Sequence, residues 1–148
     1  MIALRPATLE TVRPLRLRAL REDPDAFGST LESEQDRPDA DWDFWVRDSI
    51  IAFDGDTPVG MANLKLEPDQ ARLFGMWVAP EARGQGLGRL LLAAALHYFL
   101  ESGMTRARVV TQARNIASQR LYQGCGFLIE SAALWYHRWC RAAEIRSE

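Results

Sequence analysis

Lysine is almost missing from this chain. Lys65 is the only one and the rest of the positive charge is arginine, whose planar guanidinium suits contacts to carboxylate or phosphate more than amine chemistry. A Schiff-base enzyme would have to use that single side chain. Cysteine is nearly as scarce: Cys125 and Cys140 form no C-x-x-C pair and lie far from any histidine cluster, so neither a zinc site nor a redox motif is written here. No apolar run reaches the ~20 residues of a membrane-spanning helix, and the opening MIALRPATLE lacks the basic and apolar regions of a signal peptide. The expectation is a soluble, cytoplasmic protein with two reduced, structural cysteines. An excess of positive charge is absent as well. A net charge of −2 gives no general attraction for nucleic acid or an anionic membrane, so any affinity for phosphate must be local.

What is present fits one folded unit. With 148 residues, 47% hydrophobic and 26% charged, the chain is expected to form a single domain over 1–148, with a polar tail from about residue 141. IALRP reads as a first strand. Thr8 or Thr11 can cap the helix that carries Leu15, Leu17 and Leu20, and Pro14 favours the later start, because proline is tolerated in a first helical turn. The polar, turn-rich stretch that follows, REDPDAFGSTLESEQDRPDAD, is loop-like with room for a short helix, and WDFWVRD forms another. SIIAF, PVGMANLKLE and ARLFGMWVA then read as three strands of an antiparallel meander. A helix from near Gly86 is apolar on most sides, which marks it as buried. A strand (RARVVTQ), a helix (NIASQRLYQG) and one or two further strands complete the order. Such an order predicts an α/β, or α+β, fold: a mixed, mostly antiparallel central sheet with helices packed on it.

Three glycines at alternate positions, Gly84, Gly86 and Gly88, stand between a strand and the buried helix. Glycine permits positive φ and close approach of the backbone, and the first N–H groups of a helix point outward with about half a unit of positive charge. The segment can therefore hold a phosphate on its amides, or it can simply be a tight turn with close packing. RGQGLGRLL lacks the lysine and hydroxyl of a P-loop. A dinucleotide fingerprint fits Gly84 and Gly86 but meets Arg89 in place of its third glycine, and RARVVTQ ends without a carboxylate for a ribose. The pattern R-x-x-G-x-G at Arg83, Gly86 and Gly88 fits without exception.

WVAPEARGQGLGRLL, with its strand ending in V-x-P, and NIASQRLYQGCGF downstream, with Asn115, Ala117, Tyr122, Gly126 and Phe127 in loose register, resemble the two hallmarks of the GNAT superfamily of N-acetyltransferases. The resemblance runs from Ile2 to roughly Tyr136. It implies six to seven strands with helices on both faces, acetyl-CoA as cosubstrate, and a primary amine of a small molecule or protein as acceptor. It also implies that amides of Arg83, Gly84, Gln85, Gly86, Leu87 and Gly88 wrap the CoA pyrophosphate. The backbone of Met76, Trp77 and Val78 would pair with the pantetheine arm, and one such N–H would polarise the thioester carbonyl. Asn115 would approach that arm, Ser118 and Arg120 would reach the adenosine end, and Tyr122 would be the general acid that protonates the departing thiolate. A homodimer is the family's common assembly.

Each of these residues has a plainer reading. Met76, Trp77 and Val78 can serve as core and surface packing, Tyr122 as a half-buried aromatic, and Arg120 as a solvated helix face. Asn115 is a good N-cap for the helix that contains Ser118. A base is harder to find. An alkylammonium must lose a proton before attack, yet ARLFGMW has Arg72 and no carboxylate; Glu32, Glu34, Glu67 and His137 are candidates that also read as solvated surface. The acidic loop with Asp23, Asp25, Glu32, Glu34 and Asp36 would suit a cationic acceptor, and Phe27, Trp42 and Trp45 would anchor it to the core. A non-catalytic CoA-binding sensor is the alternative function.

Overall fold

The computed structural model describes residues 1–112, 115–132 and 136–140. Alternating apolar residues separated by short polar turns form the first half of the sheet. β1 (Ile2–Pro6), β2 (Ser49–Asp54), β3 (Thr57–Leu66) and β4 (Ala71–Val78) pair antiparallel in that order. The chain then crosses over through a buried helix, α4 (Leu87–Glu101), and returns as β5 (Ala107–Gln112) parallel to β4, the kind of connection a parallel pair requires. Two more strands, β6 (Leu128–Ala132) and β7 (Tyr136–Cys140), continue the sheet, with β7 inserted between β5 and β6. The result is a mixed sheet, antiparallel except at β4 and β5.

That one parallel contact is short. Ala71, Arg72 and Leu73 pair with Ala107, Arg108 and Val109, and there the ladder ends. A register irregularity in β4, opposite Met61–Asn63, adds to the divergence, as bulges bend the strand that carries them. From Phe74 to Val78, β4 pairs with β3 on one edge and, among the described residues, with no strand on the other.

Helices cover the sheet. Six consecutive residues of β3, Val59 to Leu64, are buried, which a strand achieves only when both of its faces are covered. On one face lies α4, with Leu91 against Gly60; α1 (Leu9–Glu22) and α3 (Asp43–Asp48) pack on the other. Helix α1 begins directly after Thr8, earlier than Pro14 suggests. The Thr8 N–H donates to Thr11 Oγ1 at 2.9 Å, while the Thr11 N–H donates back to the Thr8 carbonyl at 3.2 Å, and this reciprocal cap outweighs the single bond that Pro14 cannot make. The loop-like segment after α1 contains two 3₁₀ turns and the single-turn α2 (Leu31–Glu34). Trp42 and Trp45 are buried and tie it to the core as expected.

Glu34 departs from the solvated reading. It is buried and takes a side-on bidentate bond from Arg16, Nε to Oε1 at 3.1 Å and Nη2 to Oε2 at 3.0 Å. The guanidinium is clasped between the rings of Phe27 and Trp45, 4.8 and 4.7 Å from their centres. Burial opposes ionisation of Glu34, but hydrogen bonds from Arg16 and Ser29 overcome it and hold the carboxyl below its ordinary range. Removing one member of such a pair strands the other. Glu34→Gln is expected to cost about 3 kcal/mol of stability, as broken buried pairs do, measured by urea unfolding at pH 7. Because the folded state depresses this pKa, the pair's contribution is complete above the unfolded value of about 4.3 and fades as pH falls through the lower folded value. The stability gap between wild type and variant should therefore narrow on acidification below pH ~4. A variant as stable as wild type at pH 7 would show the pair to be dispensable.

Candidate active site

Where β4 leaves β5, the gap opens into a cleft of about 460 Å³. One wall is the free edge of β4 at Met76, Trp77 and Val78; another is the start of α5 (Ile116–Gly124) at Asn115, Ala117 and Ser118. The mouth is the loop Arg83–Gly88. Every residue expected to bind the cosubstrate lines this cleft except Gln85 and Arg120.

The glycines divide into two kinds. Gly84 and Gly86 both have φ of 78°, and a Cβ on either would meet nothing within 4 Å. Their requirement is conformational, since a left-handed backbone is costly for residues with a side chain. Gly88 lies inside α4, where a Cβ would come within 3.2 Å of Leu121 Cδ2. Its requirement is close packing of α4 on α5, so the packing reading of the glycines holds for this one. Gly86 is also the N-cap of α4, where it offers no side-chain acceptor, and the first turn contains no acidic residue. The start of α4 therefore lines the cleft with neither a capping side chain nor an acidic residue in its own first turn, and the partial positive charge of a helix N-terminus suits an anion.

Side chains from α1 and its C-cap residue brace this loop. The Asp23 carboxylate accepts from Trp77 Nε1 at 2.7 Å and from Arg83 Nη2 at 2.7 Å, while Arg83 Nε donates to the Val78 carbonyl at 2.9 Å. The Trp77 hydrogen bond, and after it the Arg83 contacts, hold the Asp23 carboxyl below its ordinary range in spite of partial desolvation. Val78 therefore presents a carbonyl that is already engaged. One turn earlier, Arg18 reaches Glu81 with two bonds, at 2.7 and 2.9 Å. Glu81, held by Arg18, has its carboxyl lowered to about 2. In the sequence Asp23 reads as one of the acidic-loop carboxylates suited to a cationic acceptor and Arg18 as the partner of Glu22 one turn on; their bonds to Trp77, Arg83 and Glu81 could not be read, because those residues lie 54, 60 and 63 positions downstream.

A second cavity, of about 390 Å³, adjoins the first; Ala26, Met76, Asn115 and Ser118 line both. Tyr122 lies on the second cavity, buried, with its ring edge-on to Phe127 at 5.8 Å between centres. Burial pushes the phenol further above its ordinary value, so it is protonated at neutral pH. Asn115 caps α5 by accepting from the Ser118 N–H at 3.2 Å, as the sequence suggests, and Arg120 is exposed. The candidate bases do not gather here. Glu34 is committed to Arg16, Glu67 contacts Arg72 and Gln70 at the β3–β4 turn, and Glu32 is exposed. The side chain of His137 lies outside the described residues. Among those residues no three His, Cys, Asp or Glu side chains group to hold a metal ion, and no helix is long and apolar enough to cross a membrane.

A model of the acetyltransferase (GNAT) family matches residues 15–127; the chain belongs to that family. It is 29% identical over 119 residues to a mycothiol acetyltransferase of Kocuria rhizophila, a match covering 74% of this chain and 39% of that one. To human N-acetyltransferase 8B it is 26% identical over 107 residues, 70% of this chain and 46% of the relative. The chain thus spans less than half the length of either. Among solved structures, the PaiA N-acetyltransferase of Thermoplasma acidophilum in complex with coenzyme A superposes with a TM-score of 0.79 at 19% identity, covering 96% of this chain and 99% of that one. The ribosomal-protein-S18-alanine N-acetyltransferase of Escherichia coli gives 0.72 at 16%, covering 100% and 97%. These likenesses show the fold: a mixed sheet with helices, GNAT-like.

The brace at Asp23 is testable by itself. Asp23→Ala removes both bonds and leaves Trp77 Nε1 and Arg83 Nη2 without that partner. Because the site is partly exposed, the expected loss is roughly 1–2 kcal/mol. A red-shifted tryptophan emission should accompany it as the indole gains access to water. Unchanged stability and emission would mean that the loop holds its shape without α1.

Proposed function

We propose that this chain is an N-acetyltransferase that moves an acetyl group from acetyl-CoA to a primary amine of a small molecule or a protein. The observation that supports this most is the coincidence of the β4 edge, unpaired among the described residues, with an N-terminus of α4 that has no capping side chain. An extended pantetheine arm needs main-chain partners along its length, and its pyrophosphate needs amide donors at one end; the cleft offers these in sequence. The presence of coenzyme A in the Thermoplasma structure of the same fold agrees with this reading.

In this account amides from Arg83, Gly84, Gln85, Gly86, Leu87 and Gly88 hold the pyrophosphate, and Asn115 and Ser118 line the arm on the α5 side. The β4 edge at Met76–Val78 takes the place of the missing strand and directs an N–H at the thioester oxygen, where negative charge grows as the amine attacks. The amine nitrogen forms a bond to the acetyl carbon, the carbon–sulfur bond breaks, and the sulfur leaves with its electron pair. Tyr122 gives its hydroxyl proton to that sulfur, and the proton released by the nitrogen restores the phenol. Position favours Tyr122 for this role, since it lines the cavity that meets the cleft at Met76, Asn115 and Ser118.

Two variants separate binding from chemistry. Gly86→Val places a β-branched side chain at a φ of 78° and should abolish acetyl-CoA binding by calorimetry while circular dichroism still reports a folded protein; undiminished affinity would remove the loop from the site. Tyr122→Phe should retain donor affinity and lose on the order of 10² in kcat, with little change in KM. A Phe variant with wild-type kcat, where chemistry limits the rate, would leave Tyr122 a packing residue.

A further inference from the structure

The second cavity carries a charge pattern that the acidic loop sequence did not foretell. Among the described residues its lining includes two charged side chains, Arg16 and Arg72, and no Asp or Glu; their partners Glu34 and Glu67 are not part of the lining. Arg16 is unusual for a buried ion. Its side chain is only 7% exposed, and the side-on bond to Glu34 uses Nε and Nη2. Nη1 points away from that carboxylate, shielded from solvent, with no hydrogen-bond partner among the described residues. A desolvated N–H donor left without an acceptor is costly, and in native proteins such groups are rare and call for a physical reason, a bound acceptor among them. Gly75 keeps β4 open beside it, since a Cβ there would stand 3.7 Å from Nη1 and collide with Trp45 at 2.5 Å. Arg72 lies at the rim with a side chain 41% exposed, in a loose 3.4 Å contact with Glu67.

We propose that this cavity takes an acceptor that carries a carboxylate on the same molecule as its reactive amine, with the carboxylate drawn to Arg16 Nη1 and Arg72 and the amine directed to the junction at Met76, Asn115 and Ser118. The proposal rests on the acetyl-transfer reading above and names its substrate class. Guanidinium groups match a carboxylate in shape and charge. A cationic acceptor without a carboxylate, the kind that the acidic loop suggests, would bring like charge against both arginines.

The test uses product analogues on the CoA-saturated protein, so that it does not depend on turnover. Calorimetry compares N-acetyl derivatives of glycine, β-alanine, 4-aminobutyrate and glutamate with their carboxamides. At least one acid should bind roughly 30-fold more tightly than its amide, in the range of charge-assisted hydrogen bonds. Arg72→Gln should cut that preference about tenfold while CoA affinity stays unchanged, and Arg16→Lys, which keeps a cation for Glu34 but removes Nη1, should abolish it. Acids and amides that bind alike, a panel that does not bind at all, or a preference untouched by both variants would overturn the proposal. None of those results would disturb the acetyltransferase reading, which fails separately if acetyl-CoA itself does not bind.

Discussion

Two parallel strands that hydrogen-bond for three residues and then part are the constraint on which the rest of this molecule depends. Once β4 passes Leu73 its outer edge has no strand beside it among the described residues, and peptide groups without partners are expensive to keep away from water. The fold meets this by making the gap a cleft. Helix α4 begins at its mouth, α5 forms its opposite wall, and the cavity holding Tyr122 continues it inward. An extended ligand with amide groups of its own can then complete the sheet where the protein does not.

Helix α1 holds both ends of this arrangement. Arg16, Arg18 and Asp23 lie within eight residues of one another, yet they reach three different places: the second cavity, the turn before the glycine loop, and the loop itself. The rim contacts at Arg18 and Asp23 are partly exposed, and such contacts contribute little stability each. Their effect is on position. The buried pair of Arg16 and Glu34 is different in kind, because its desolvation must be offset by good geometry. The two aromatic rings clasping the guanidinium supply part of that compensation.

Much of this was legible in the sequence. The meander, the crossover helix and the later strands follow from alternation and turn residues, the glycine loop stands out by its R-x-x-G-x-G spacing, and Asn115 and Tyr122 were marked by the resemblance to the GNAT family. What could not be read depended on contacts between distant segments. Glu34 looks like a soluble loop carboxylate until Arg16, 18 residues earlier, is placed against it. Thr8 and Thr11 were both plausible caps, and only their mutual bonding decided between them. Gly75 shows no motif, yet its left-handed φ and the nearness of Trp45 and Arg16 help to shape the cavity wall. Local motifs announced the cleft, whereas the adjoining cavity is assembled from α1, the loop after it, β4, β5 and α5 and so left no contiguous signature.

The central claim is that main-chain groups, more than side chains, receive the donor. Amide hydrogen exchange read by mass spectrometry or NMR, with and without acetyl-CoA, tests it directly, because it reports on those N–H groups one segment at a time. The account predicts slowed exchange in two separate stretches, Gly75–Val78 on the β4 edge and Gly84–Arg89 at the start of α4, with β1 and β2 unaffected. Binding that protects neither stretch, or that slows exchange evenly through the whole chain, would contradict it.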